Sequence, residues 1–149
     1  MKITNKEYGE MLKASSPNTK LHVTLPKAFL SGGLICVIGE AFLKLYERYG
    51  AGKEAAAALT SITLIGLAAL LTGFKVYDKI AKHAGAGSLV PITGFSNAVV
   101  APALEFKTEG FILGIGAKMF VIAGPVIVYG VAASALYGLI YYIAETAFR

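Results

Sequence analysis

The chain has 149 residues, 56% of them hydrophobic and 15% charged, with 17 glycines and a net charge of +5. Soluble domains carry about 25% charged residues, so too few polar side chains remain to cover a water-facing surface. Soluble globular, coiled-coil and disordered classes are excluded. The composition is that of an all-α polytopic membrane protein with a single membrane domain over residues 27–149. The positive balance points to anionic lipid headgroups before nucleic acid.

Residues 1–26 form a polar basic tail carrying Lys2, Lys6, Lys13 and Lys20. No apolar stretch with a cleavage site opens it. No secretory signal peptide is therefore expected, and the first membrane segment is expected to direct insertion. Thr4 and Glu7 stand at capping-box spacing ahead of Tyr8, Met11 and Leu12. That predicts a short interfacial helix over about residues 4–14, with a frayed, solvated tail as the alternative.

About four membrane segments follow. The first covers residues 28–46, and its apolar core is interrupted only by Glu40. It reaches the ~20 residues a span needs if Lys27 and Lys44 snorkel at its ends. Glu40 stands about 18 Å along a helix from Ala28, near the bilayer middle. Cys36, the one cysteine, excludes an intrachain disulfide and reads as a buried small hydrophobe. A polar link with Gly50 and Gly52 leads to the second segment, residues 55–74, which carries no charge.

Residues 75–83 show helical periodicity with a basic face, as expected of a helix lying along the membrane surface. Asp78 and Lys82 are spaced for an i,i+4 pair. The third segment, residues 84–104, holds Gly85, Gly87, Pro91, Gly94 and Pro102, with Ser88, Thr93, Ser96 and Asn97 between them. Proline lacks an N–H and clashes with the preceding turn. Irregular backbone at membrane depth survives only where protein or a wet cavity satisfies it. The segment therefore reads as a broken helix or re-entrant loop, with a plain kinked span as the alternative.

After a polar link through Glu105, Lys107, Thr108 and Glu109, residues 111–144 carry one charge, Lys118. A straight helix of that length is about 51 Å long, against a hydrocarbon core of ~30 Å. The expected solution is a separate interfacial piece followed by a span over residues 119–142, with Tyr137, Tyr141 and Tyr142 at the exit interface. Lysine and arginine counts favour a cytoplasmic N-terminus only modestly. A re-entrant third segment would put the C-terminus on the opposite side.

Catalytic signatures are missing from the sequence. It has no phosphate-binding glycine loop, no HExxH and no paired cysteines, and His22 and His83 are isolated. No enzyme activity, metal or cofactor is expected. A membrane enzyme would require Glu40, Asp78 and Glu105 to converge on one cavity. Gly110 and Gly114, and the row Gly130, Ser134 and Gly138, are small-residue patterns that allow close helix packing. Intramembrane charges suggest function by default. Glu40 either lines a polar path or pairs with Lys44 one turn on. Lys118 either attracts an anion or snorkels. The sharpest candidate is the third segment, where a short helix starting near Thr93-Gly94 would aim its positive end inward. Gly85, Gly87, Ser88, Pro91, Thr93, Gly94, Ser96 and Asn97, with Glu40, are the candidate path residues. The alternative is that these glycines only permit tight packing.

Four blocks carry a resemblance: Ser31–Gly39, Leu71–Asp78, Ala84–Phe95 and Ala103–Gly110. In this order they resemble the stage V sporulation AC/AE membrane protein family, and the basic tail is closer to its AC-type members than to the shorter-tailed AE-b type. Glu40 departs from the pattern, where glutamine is expected. The resemblance implies a role in endospore-forming bacteria, in the inner membrane of the forespore and spore. It implies movement of dipicolinic acid as its calcium chelate, inward during sporulation and outward during germination. It implies a related AE-b-type membrane subunit and a soluble AD-type subunit as partners. The 1:1 chelate is formally neutral, so a path for it needs polar backbone and modest charge. A chain this short cannot enclose such a path alone, which makes a homo- or hetero-oligomer the expectation. The competing reading is a membrane anchor that recruits a soluble partner and forms no pore alone.

Overall fold

A computed structural model describes residues 4–15 and 20–147. Among these the chain is helical throughout, with no strand. Helix α1, Asn5–Ser15, begins with the capping contact read from the sequence: Glu7 Oε2 accepts from the Thr4 backbone N–H at 2.9 Å and from its hydroxyl at 2.7 Å. Tyr8, Met11 and Leu12 are exposed along it. The sequence Ser15-Ser16-Pro17-Asn18 is expected to end this helix; of it, only Ser15 is among the described residues.

Helix α2 spans Leu21–Arg48, so it starts seven residues ahead of Ala28 and contains Pro26. The ring costs one bond near the helix start, where later turns still carry the helix. At 28 residues it is about 42 Å long. Helix α3, Lys53–Gly73, runs back beside it. Leu64 touches the Gly39 position, and the Tyr46 hydroxyl meets Thr63 Oγ1 at 2.6 Å near the connecting turn. Cys36 is exposed, contrary to expectation. A continuous apolar run does not tell the lipid-facing side of a membrane helix from the packed side.

The third segment is broken twice. Helix α4, Tyr77–Ala84, stops at Gly85, where φ is 55°. The single turn α5, Ala86–Leu89, stops at Val90-Pro91. Helix α6, Ile92–Glu105, then packs mainly on α3. Its 14 residues give about 21 Å, short of the ~30 Å hydrocarbon core. The segment also returns to where it began. Lys75 and Asp78, in the stretch that leads into it, share one cavity with Ala101 and Glu105 at its end, beside Thr72 and Gly73 of α3. It leaves and rejoins the same end of α3, as a re-entrant element must.

A 3₁₀ turn, Lys107–Glu109, and a π turn, Phe111–Gly116, lead into α7, Phe120–Ala147. The separate piece expected ahead of residue 119 is not set off: helical structure runs from the π turn into α7 as one stretch, Phe111–Ala147. Helix α7 runs five residues past Tyr142. Three helical stretches are long and apolar enough to cross a membrane: Leu21–Arg48, Lys53–Gly73 and Phe111–Ala147. Within α7 the one buried residue is Ala123, so almost its whole surface faces outward.

Candidate functional site

The break in the third segment lies against α2 and α3, and its geometry follows from its glycines. A Cβ at Gly87 would collide with Ser31 Oγ and the Ala28 carbonyl oxygen of α2. A Cβ at Gly94 would collide with the Leu89 carbonyl oxygen across the Val90-Pro91 corner. Both glycines are buried. Gly85 is exposed and meets nothing within 4 Å, so there the left-handed φ of 55° is what favours glycine.

Polar side chains of the break satisfy backbone groups the corner frees. The buried Tyr77 hydroxyl donates to the Ser88 carbonyl at 2.7 Å and lies 3.3 Å from Thr93 Oγ1. Ser88 Oγ donates to the Gly85 carbonyl at 3.1 Å. Ser31 of α2 reaches the Ala84 carbonyl at 3.2 Å. Ser96 donates to the Ile65 carbonyl of α3 at 2.9 Å, and Thr72 Oγ1 lies 2.9 Å from Asn97 Oδ1. Among the described residues no buried side-chain nitrogen or oxygen lacks a partner. This is how irregular backbone is tolerated at membrane depth.

The candidate path residues thus divide. Gly87, Ser88, Thr93, Gly94 and Ser96 are buried in contacts between helices, Pro91 and Asn97 are half-buried, and Gly85 is exposed. Beside them lies a cavity of about 220 Å³ lined by Leu34, Ile38, Leu67, Leu71 and Ile80 together with Tyr77, Ser88 and Thr93. Its walls are almost wholly apolar. The helix expected near Thr93-Gly94 begins at Ile92, with Pro91 ahead of it in extended conformation.

Glu40 is not part of this cluster. It faces outward from α2 and its carboxylate pairs with Lys44 at 3.3 Å. Of the three carboxylates whose convergence a membrane enzyme would need, Asp78 and Glu105 line one cavity and Glu40 lies elsewhere. Among the described residues no group of three His, Cys, Asp or Glu could hold a metal ion. The expected Asp78–Lys82 pair does not form: the cavity that Asp78 lines holds Lys75 and Glu105, while Lys82 lines a different one near the start of α2.

The small-residue patterns also divide. Gly110 is not on a helix face; it is a turn residue with φ 98°, and Gly114 packs against the Phe106 carbonyl and Glu109. The spacing is GxxxG, but the preceding turn breaks the helix that the motif needs. Gly130, Ser134 and Gly138 stay exposed on α7, with nothing near either glycine. Lys118 sits 4.2 Å over the Phe106 ring, a cation–π contact that neither expectation for it named. Sequence reading also missed Lys75, a left-handed residue with no glycine to announce it.

No solved structure matches the chain. A curated relative, stage V sporulation protein AC of Bacillus subtilis (strain 168), is 44% identical over 139 residues, covering 93% of each chain. The family described as SpoVAC/SpoVAEB sporulation membrane protein matches residues 24–140, which hold both breaks and all the contacts that secure them. The chain belongs to the SpoVAC/SpoVAEB family of sporulation membrane proteins.

Proposed function

We propose that this membrane protein is one subunit of a path that moves dipicolinic acid, as calcium dipicolinate, across the inner membrane of the forespore and spore. The observation that supports this most is the doubly broken third segment, which enters beside α2 and α3, turns at Val90-Pro91 and returns. Proteins that pass polar solutes build their sites from such interrupted helices. Most of the break's polar side chains are turned into the chain, so the path runs along the segment's outer side, at a boundary with another subunit. The partners in this reading are a second copy or the related AE-b-type membrane subunit, with a soluble AD-type subunit at the surface. The exposed faces of α2 and α7 leave room for such a boundary.

The test is efflux of calcium dipicolinate from vesicles holding the purified protein alone, then with the related membrane subunit. Val90→Phe is the informative variant, because Val90 is exposed at the corner with ordinary helical backbone, so a larger side chain enters open space without strain. Flux with one or both subunits, reduced by Val90→Phe in a protein that still inserts and folds, supports the path. No flux in either preparation refutes it.

A second reading rests on the internally satisfied polar groups of the break. If they serve only packing, the chain is an assembly subunit that recruits a soluble partner. Recruitment without flux, lost on removing residues 1–20, would support that reading.

A further inference from the structure

Where α3 ends, the chain encloses a cavity of about 450 Å³ that the break does not use. It is lined by the buried Thr72, by Ala101 and Leu104, and by the exposed Lys75, Asp78 and Glu105. The three charges stay apart. Among the described residues the one ion pair is Lys44–Glu40, so neither carboxylate closes on Lys75 and Asp78 does not close on Lys82.

Lys75 is held there at a conformational cost. The Val76 N–H bonds the Leu71 carbonyl at 2.9 Å and the Lys75 N–H bonds the Thr72 carbonyl at 2.9 Å, which is a Schellman ending for α3. That ending puts Lys75 at φ 57°, where glycine is the usual residue and a Cβ is strained. The side chain is exposed, so packing does not explain the lysine. Strain held in the lining of a cavity is a pointer to function.

The charge pattern selects the ligand. A simple anion would meet two carboxylates, and a simple cation would meet the ammonium. A group that is neutral overall but carries separated charges satisfies all three. We propose that the cavity lined by Lys75, Asp78 and Glu105 binds such a group, its anionic oxygens on Lys75 and its cationic centre between the two carboxylates. Two sources offer this chemistry. One is a zwitterionic phospholipid headgroup. The other is a divalent cation chelated by a carboxylate ligand, whose open coordination positions take hard oxygens; this source rests on the proposed function.

The experiment uses the full chain in discs of phosphatidylglycerol, which supplies no zwitterion. Calcium dipicolinate is titrated from solution, with calcium alone and dipicolinate alone as comparisons. In a parallel arm phosphatidylethanolamine is mixed into the disc and retained lipid is counted by native mass spectrometry. Lys75→Gly is the key variant, because glycine takes the left-handed turn without strain and the fold is kept. Saturable binding of one probe is expected, weakened at least about fivefold by Lys75→Gly and by the double change Asp78→Asn with Glu105→Gln. Saturation by the chelate, beyond that by either component, assigns the site to a solute. Retention of phosphatidylethanolamine assigns it to a lipid. Failure of both probes to bind, or equal binding by Lys75→Gly, overturns the proposal. Efflux that persists while Lys75→Gly binds normally overturns the cavity and leaves the transport reading standing. Saturable binding in a protein that passes no solute does the reverse.

Discussion

Replacing Gly87 by alanine puts a methyl carbon where α5 crosses α2. That carbon would fall inside van der Waals contact of Ser31 Oγ and the Ala28 carbonyl oxygen, and 2.9 Å from the Ala28 carbonyl carbon. The serine hydroxyl can rotate away and give up its contact with the Ala84 carbonyl. The Ala28 backbone cannot rotate, because it belongs to α2. Carbon atoms rest at about 3.5–4.0 Å, so α5 must shift by roughly 1 Å. Overpacking of this kind costs about 1–3 kcal/mol. The controls are Gly33→Ala on α2 and Gly66→Ala on α3, where a Cβ meets nothing within 4 Å. Alanine at those helical positions is neutral or stabilising by up to about 1 kcal/mol. Equilibrium unfolding in mixed micelles with increasing dodecyl sulfate measures all three. Gly87→Ala should lose about 1–3 kcal/mol while the controls keep or gain stability. Equal stability of Gly87→Ala and the unaltered chain, or an equal loss in Gly33→Ala, would refute the close α2–α5 crossing.

Further outcomes are expected at the contacts that secure the segment. Tyr77→Phe removes the donor that satisfies the Ser88 carbonyl and should destabilise by about 1–2 kcal/mol, with faster hydrogen exchange at the break; unchanged exchange would count against that bond. A double-mutant cycle on Thr72→Val and Asn97→Ala should return a coupling of about 0.6 kcal/mol, the usual size for such bonds in membranes, whereas strict additivity would mean that the contact contributes nothing. Glu40→Gln should change stability by less than about 1 kcal/mol and leave efflux intact, because the exposed pair with Lys44 lies away from the break; lost flux would return Glu40 to the path. The Glu7 carboxyl is held below its ordinary value by the Thr4 backbone N–H and then by the Thr4 hydroxyl. Its contribution to α1 is therefore present above the ordinary carboxylate value and lost as pH falls through the depressed one. Amide shifts of α1 recorded in micelles should move in that acidic window, and Glu7→Gln should abolish the change.

Local patterns were legible in the sequence because local physics sets them. Thr4 and Glu7 meet three residues apart, Glu40 and Lys44 meet one helical turn apart, and Pro91 breaks the helix where its missing N–H requires. What stayed hidden depends on tertiary placement. Nothing in an apolar run tells which side of α2 faces lipid, so Cys36 read as buried. Residues 21–26 read as part of the polar tail, yet α2 extends back through them to Leu21. Lys75 fills a left-handed position that sequence reading assigns to glycine. Asp78 and Glu105 stand far apart in the chain, and only the return of the third segment puts both on one cavity. The candidate path residues were found as a group, but their facing was not: a serine that lines a path and a serine that secures a break look alike in sequence.

A re-entrant third segment leaves the membrane on the side from which it entered. Single cysteines at Lys79 and Lys107, in a chain whose Cys36 is replaced by alanine, test it directly when labelled in sealed vesicles by a membrane-impermeant maleimide. A cysteine at Ala51, in the turn between α2 and α3, marks the other side. Positions 79 and 107 should label from the same side and position 51 from the opposite one. Labelling of 79 and 107 from opposite sides would mean that the segment crosses, and the re-entrant account would be wrong.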